Sequence, residues 1–282
     1  MSEPRTSIFD LNLRRGRLRV RSQGAEQGPL LLCVHGISAH MHAFDSLVPG
    51  LVAMGFRVVS MDLRGRGRSE VTAAGSYGLA AHVDDILEIA DQLGAQRFDL
   101  IGWSLGALIG IGVANRAAAR LRRLVLIDHA GPIDPAALSV VETGFNRLDA
   151  VVPDPQIYTS AVKSAGLIAP WSEFWDAYYR YELGPRQGGF QATTSKAACL
   201  EDLRDFFAQP WEPLWNGLTM PTLLLRCRAA MGGTYVVDEA VGQAMARAVP
   251  RLSLVEVESN HFTVMVDPAA ARAISAHLSG AA

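Results

Sequence analysis

The stretch Phe98-Asp-Leu-Ile-Gly-Trp-Ser-Leu-Gly-Ala107 decides the fold. It contains G-x-S-x-G, with Ser104 between Gly102 and Gly106. A short apolar run, Phe98 to Ile101, precedes the serine, and a run of small and aliphatic residues, Ala107 to Ala114, follows it. That order predicts strand, sharp turn and buried helix. In so tight a turn only glycine clears the neighbouring backbone on either side of the serine. The turn lifts the Ser104 hydroxyl out of the sheet and sets it at a helix N-terminus, where amide dipoles favour developing negative charge. Such a short pattern also recurs by chance, so its flanking strand and helix carry the reading.

The surrounding chain repeats the alternation. Ser7 to Asn12 and Arg17 to Ser22 read as a hairpin turning near Gly16. Leu30 to Val34 is a buried strand ending at His35-Gly36, Met41 to Met54 an amphipathic helix, and Phe56 to Met61 the next strand. Tyr77 to Leu93 is helical, with Leu79, Val83, Ile86, Leu87 and Ala90 on one face. Leu124 to Ile127, Thr222 to Leu225 and Leu252 to Val257 are further apolar strands, with a helix from about Asp238 to Val249 between the last two. Asp267-Pro268 pairs an N-cap with a proline at the first helical position and opens the final helix. Continuous apolar strands separated by helices imply an α/β protein with a mainly parallel, doubly wound sheet covered on both faces.

One region breaks this rhythm. Between about Gly131 and Asn216 no apolar strand is visible, prolines are frequent, and Trp171, Phe174, Trp175, Tyr178, Tyr179 and Tyr181 cluster. We expect a core domain of residues 1–130 and 217–282 and a helical cap of residues 131–216. Most of the aromatics would build the cap's own core. Some would line an apolar pocket, for which Trp171 and Trp175 are the candidates, together with Trp103 beside the serine.

Composition narrows the partners. With 26 basic and 28 acidic residues the net charge is -2, which argues against nucleic acid or an anionic membrane. No apolar run approaches the length needed to span a membrane. Met1-Ser2-Glu3-Pro4-Arg5 lacks a basic segment followed by an apolar one, so no secretion signal is read and a cytoplasmic location is expected. Cys33, Cys199 and Cys227 are unclustered and read as buried free thiols rather than staples or metal ligands. A small-molecule substrate is the expected partner, and a homodimer is left open.

Taken in order, His35-Gly36, Asp62-Leu-Arg-Gly-Arg-Gly-Arg-Ser69, Gly102-Trp-Ser-Leu-Gly106, Leu124-Val-Leu-Ile-Asp128 and Asn260-His-Phe262 resemble the α/β-hydrolase fold family, specifically its capped, cofactor-independent members. The resemblance covers nearly the whole chain, is specific for the fold and says little about the substrate. It implies a Ser-acid-His triad in that chain order, with no metal and no organic cofactor. A serine hydroxyl is a poor nucleophile until a base takes its proton. Of the seven histidines, His261 stands at the family's catalytic position, after Leu252 to Val257 and a short loop. His35 would shape the oxyanion loop, His40 and His42 would be mainly solvated, and His129 could line the pocket. The family pattern also assigns two oxyanion-hole amides, those of Leu105 and Ile37. Asp62, Arg64, Gly65, Gly67 and Ser69 would brace the sheet edge near the site.

The acid departs from the common pattern. The family usually places an Asp just after the strand matching Thr222 to Leu225, but residues 226–237 contain no carboxylate. Asp238 and Glu239 come next, in a helix start where acidic caps are ordinary occupants. Asp128 ends the strand after the elbow, a position that carries the acid in some branches of the family. We favour Asp128, with Asp238 and Glu239 as alternatives. The expected activity is hydrolysis of an ester, lactone or related acyl bond of a small apolar substrate. Carbon–carbon bond hydrolysis and acyl transfer use the same triad. A poorly catalytic ligand receptor is the other class, motivated by the missing acid.

Overall fold

The computed structural model describes residues 6–280. Its strands are β1 (Thr6–Leu13), β2 (Gly16–Gln23), β3 (Leu30–Val34), β4 (Arg57–Met61), β5 (Phe98–Trp103), β6 (Leu121–Ile127), β7 (Leu183–Arg186), β8 (Gly189–Ala192), β9 (Thr222–Cys227) and β10 (Leu252–Val257). Eight of them form one sheet in the order β1-β2-β4-β3-β5-β6-β9-β10. Pairing is parallel from β4 through to β10 and antiparallel only where β2 meets β1 and β4. The continuous apolar runs occupy the middle. Every residue of β3, β5 and β9 is buried, as expected of strands covered on both faces.

The helices are α1 (Val48–Ala53), α2 (Leu79–Gln92), α3 (Leu105–Ala117), α4 (Pro135–Gly144), α5 (Pro155–Ser164), α6 (Glu173–Tyr181), α7 (Lys196–Phe207), α8 (Trp211–Leu214), α9 (Glu239–Ala248) and α10 (Pro268–Ser279). Alternate strand residues feed two cores. Leu32, Val34, Leu100, Leu124, Leu126 and Leu224 join α2 and α3 on one face. Leu31, Cys33, Ile101, Val125, Ile127 and Leu225 join α1 and α10 on the other. The chain leaves β3 for β4 and returns to β5 on the opposite side, so strand order reverses between β3 and β5. Crevices at the carboxyl ends of such strands are where ligands bind in open α/β sheets.

Two expectations differ in detail. The helix expected over Met41 to Met54 is a single 3₁₀ turn, Met41–Phe44, followed by α1. Pro49 lies in the first turn of α1; it lacks an N–H and its ring clashes with a preceding helical turn, so the helix restarts there. The segment between β6 and β9, expected to lack strands, contains the two-stranded β7-β8 pair beside α4 to α8. These strands are four residues each and half exposed, so no apolar run marks them.

The segment between β6 and β9 is tied to the rest of the chain by polar contacts. Arg68 donates to the carbonyls of Tyr181 and Leu183, Asn260 donates to that of Leu167, and the Tyr181 hydroxyl donates to Asp62. Asp62 also accepts the amides of Met41 and Arg68. One buried carboxylate thus joins the loop after β3, the loop after β4 and α6.

Candidate active site

Ser104 sits at the corner between β5 and α3 with φ 57° and ψ -120°, a conformation that costs a non-glycine residue about 1–3 kcal/mol. The flanking glycines make the corner feasible. A Cβ on Gly102 would lie 2.1 Å from the carbonyl oxygen of Gly106, and one on Gly106 would lie 1.9 Å from that of Val34. The Ser104 amide donates to the Ile127 carbonyl at 3.0 Å, which locks the corner to the end of β6. Gly36 approaches from β3, where a Cβ would come within 3.2 Å of Ser104 Cβ.

Asp128 follows Ile127 and has φ 48°, a left-handed conformation that Asp tolerates better than most residues. Its Oδ2 lies 2.8 Å from His261 Nδ1, and its Oδ1 accepts the Cys227 amide at 2.9 Å. Both carboxylate oxygens are therefore engaged in a buried setting, one of them by the end of β9. Asp238 instead caps α9, accepting the Ala240 amide at 2.8 Å. His261 is held from two sides. Trp103 Nε1–H donates to the His261 carbonyl at 3.0 Å, and Asn260 Oδ1 accepts the amides of Phe262 and Thr263. Burial keeps the Cys227 thiol protonated far above its usual range, so no second negative charge arises beside Asp128.

Among the described residues, neither the Ile37 nor the Leu105 amide donates to a protein acceptor. Leu105 opens α3, where unpaired amides are inherent to the helix start. The Ile37 carbonyl is fixed from behind by Arg66 Nε at 2.9 Å and by the Cys199 thiol. Arg66 is wholly buried and paired with Asp202 of α7, which also meets His82 Nε2 at 3.0 Å. His35 shapes the same loop. Its Nδ1 donates to the Gly36 carbonyl at 2.7 Å, and its Nε2 accepts the Leu63 amide at 2.9 Å. Burial lowers its pKa to about 3, so the ring is neutral.

Two cavities meet at Ser104. The larger, about 550 Å³, runs beneath α4, α5 and α6. The smaller, about 390 Å³, runs toward α7 and α8. Ile37, Ser104, Val141 and His261 border both. Tyr158, Ala161 and Val162 of α5 and its C-cap Ala165 recur at helical spacing along the larger cavity. Tyr178, Tyr179, Trp103 and Phe262 complete its aromatic wall. Among the described residues Arg147 is its one charged lining residue, and its charge is paired. It pairs with buried Glu182 at 2.8 Å and donates to the Gly144 and Ser38 carbonyls. Tyr158 donates to the same Glu182.

The structure therefore brings Ser104, Asp128, His261, Ile37, Leu105 and Trp103 together, and leaves Trp171 and Trp175 outside. Trp175 is buried behind Tyr178 and Tyr179, and Trp171 stacks on Tyr179 from the far side. His40, expected to be solvated, is buried and stacked on Tyr178 with ring centroids 4.0 Å apart, and it contacts the Tyr178 carbonyl through Nε2. Sequence reasoning missed Tyr158, Tyr178, Tyr179 and Arg147 as lining residues. The helical period of α5 and α6 was a signal for their inward faces, though not for which inward residues meet a cavity and which meet each other. Among the described residues no group of three or more His, Cys, Asp or Glu side chains is gathered as a metal-ligand set. No helix there is long and apolar enough to cross a membrane.

Comparison with known proteins bears on the fold and the family. Residues 29–268 match the alpha/beta hydrolase fold as a family. The chain is similar to 2-(acetamidomethylene)succinate hydrolase of Mesorhizobium japonicum, 27% identical over 254 residues, covering 89% of this chain and 87% of that one. A crystal structure of E-2-(acetamidomethylene)succinate hydrolase superposes with a TM-score of 0.87 at 24% identity, over 98% of this chain and 100% of the other. The 3-hydroxybutyrate-oligomer hydrolase of Cupriavidus necator is 34% identical over 110 residues, 39% of this chain, which spans only 37% of that relative's length. With a family match over most of its length, the chain belongs to the alpha/beta hydrolase fold family.

Proposed function

We propose that this protein is a serine hydrolase that cleaves an ester, lactone or related acyl bond of a small, uncharged, largely apolar substrate. The observation that carries the reading is the His261 Nδ1–Asp128 Oδ2 contact of 2.8 Å, made beside Ser104 in a shared cavity. Asp128 holds His261 in the tautomer whose Nε2 is free to accept the Ser104 proton. Ser104 Oγ attacks the carbonyl carbon, and the amides of Leu105 and Ile37 donate to the developing oxyanion. His261 then gives the proton to the leaving group. It next activates water to hydrolyse the acyl-enzyme, and the acid leaves. Residues 131–216 act as a cap whose α4, α5 and α6 hold the apolar part of the substrate.

The cavity argues for a neutral substrate. A carboxylate in apolar surroundings needs a paired cation, and Arg147 is already taken by Glu182 and two carbonyls. This separates the protein from the relative whose name denotes a dicarboxylate, and favours neutral acyl compounds. The receptor alternative loses its motive, since an acid stands at hydrogen-bond distance from His261. A fluorophosphonate probe, followed by p-nitrophenyl esters and lactones graded by acyl length, tests the reading. Ser104 is expected to label. Ser104→Ala should lose labelling and at least about 10⁴-fold in kcat, and a free carboxylate on the acyl chain should lower kcat/KM. An alanine variant that turns over within a few-fold of the parent overturns the reading.

A further inference from the structure

The left-handed turn at Asp128 sends two adjacent side chains in different directions. Asp128 turns to His261 and the end of β9, whereas His129 borders the smaller cavity with Ser104, Leu105 and His261. Trp215 Nε1–H holds the turn by donating to the Ala130 carbonyl at 2.7 Å. His129 is buried, and its Nδ1 receives the Gly131 amide at 3.3 Å. A backbone N–H can only donate, so Nδ1 carries no proton and a neutral ring must carry its proton on Nε2. Burial, reinforced by neighbouring His261, lowers the His129 pKa to about 3, which keeps the ring neutral. Nε2 has no protein partner among the described residues, yet it is not among the fully occluded polar atoms.

The remaining wall offers little else. Leu108, Pro132, Ile133, Leu203, Phe206 and Val236 are apolar, and Glu212 brings a carboxylate, which accepts and does not donate. The Trp211 indole N–H is spent on the Phe206 carbonyl, and the Gln209 amide on that of Asp205. Apart from the reacting groups, His129 Nε2–H is thus the open side-chain donor of this cavity. A ligand that fills the cavity without offering this donor an acceptor leaves it unpaired at a cost, so its presence selects ligands that supply one.

We infer that His129 is a substrate-binding residue: its Nε2–H donates to an uncharged oxygen acceptor, such as an ether or second carbonyl, on the substrate arm that fills the smaller cavity. The inference rests on the acyl-hydrolase reading and narrows it to substrates with one apolar arm and one arm bearing an acceptor. A neutral ring cannot balance a carboxylate, so the acceptor is uncharged.

Two isosteric pairs test this: butyl against 2-methoxyethyl hexanoate, and p-nitrophenyl pentanoate against p-nitrophenyl 3-methoxypropanoate. In the parent, the ether member of at least one pair is expected to be preferred. In His129→Phe the ratio of kcat/KM within that pair should fall about tenfold, the usual effect of losing one neutral hydrogen bond. His129→Gln, whose side-chain N–H reaches a similar place, should recover part of it. Imidazole nitrogen NMR supplies an independent arm in Ser104→Ala, where no acyl chemistry runs. There the His129 ring should be protonated on Nε2, and that N–H should shift with the ether ester and not with its hydrocarbon partner. Because this arm needs no turnover, failure of the hydrolase reading and failure of the inference are separate results. Ratios unchanged by His129→Phe in both pairs, a proton on Nδ1, or an N–H indifferent to the ether overturn it.

Discussion

The sheet side and the proposed cap side of the candidate catalytic cavity are built by different means. On the sheet side, Ser104 and Asp128 end the adjacent strands β5 and β6. Among the described residues, they are the two non-glycine positions with positive φ. Their side chains are aimed by strained backbone, and the strain is held by neighbours, as in the Ser104 amide bound to Ile127 and the Asp128 amide bound to Leu225. On the cap side, Tyr158, Ala161, Val162, Tyr178 and Tyr179 project from regular helices, and packing aims them, with one side-chain hydrogen bond from Tyr158 to Glu182. In the proposed reaction, chemistry needs sub-ångström placement and falls to the first kind of structure. Shape selection tolerates change and is carried by the second.

That contrast sets the largest expected effect. Asp128→Asn keeps the size of the side chain but offers the wrong partner to His261, and in the serine-triad template such a change costs about 10⁴ in kcat. Asp238→Asn should leave kcat within twofold, because Asn caps a helix about as well as Asp. Steady-state kinetics of the two variants on one good ester decide the matter. A crippled Asp238→Asn beside a near-parental Asp128→Asn would move the acid to α9 and undo the account of the sheet side.

The same contrast explains what could be read from sequence. The sheet side was legible because strained positions restrict residue identity. Gly102 and Gly106 cannot carry a Cβ, and the apolar runs of β3, β5, β6 and β9 fix where the strands end. The sequence favoured Asp128 without excluding Asp238 and Glu239, because a carboxylate at a strand end also has an ordinary structural reading. Only the crossing from β6 to β9 and β10 brings Asp128 to His261. On the cap side, Asp134-Pro135 and Asp154-Pro155 announce helix starts as clearly as Asp267-Pro268. Helix starts do not reveal azimuth, however. Trp171 and Tyr179 are equally aromatic, and only tertiary packing turns one away from the cavity and the other toward it.

An intermediate effect lies at the joint between the two sides. His35, His40 and His129 are buried, and each accepts a backbone amide on one ring nitrogen, from Leu63, His42 and Gly131 respectively. Protonation would set N–H against N–H. Burial holds His35 and His129 at about 3 and His40 well below its ordinary value. An unfolded histidine titrates near ~6.5. Between that value and about 3 the unfolded chain therefore binds more protons, so stability is full above pH ~6.5 and falls as pH falls. Three such groups give a slope of up to about 4 kcal/mol per pH unit. Urea midpoints measured from pH 7.5 to 4.5 should fall steadily. His40→Gln, which removes the histidine stacked on Tyr178, should lower the slope by about a third. A stability flat across this range would mean that the three rings take protons in the folded state.

The smallest effects separate the two kinds of cap aromatic. Ala161 borders the larger cavity from α5, and Ala161→Trp would fill much of the space available to a long acyl chain. The hexanoate-to-acetate ratio of kcat/KM should fall by about tenfold or more, since even one methylene in an apolar pocket is worth about 1–3 kcal/mol. Trp171 lies on the other side of Tyr179, with ring centroids 5.8 Å apart and planes 14° from parallel. Trp171→Ala removes that stacking at a cost of about 0.5–1.5 kcal/mol in stability, but it touches no wall of the cavity. Its chain-length ratio should stay within about threefold of the parent, because Tyr178, Trp175 and the Arg147 guanidinium still flank the Tyr179 ring. If Trp171→Ala shifts the ratio as far as Ala161→Trp does, Tyr179 depends on its outer neighbour for its position. The cap would then aim its side chains as tightly as the sheet does, and the distinction between the two sides would fail.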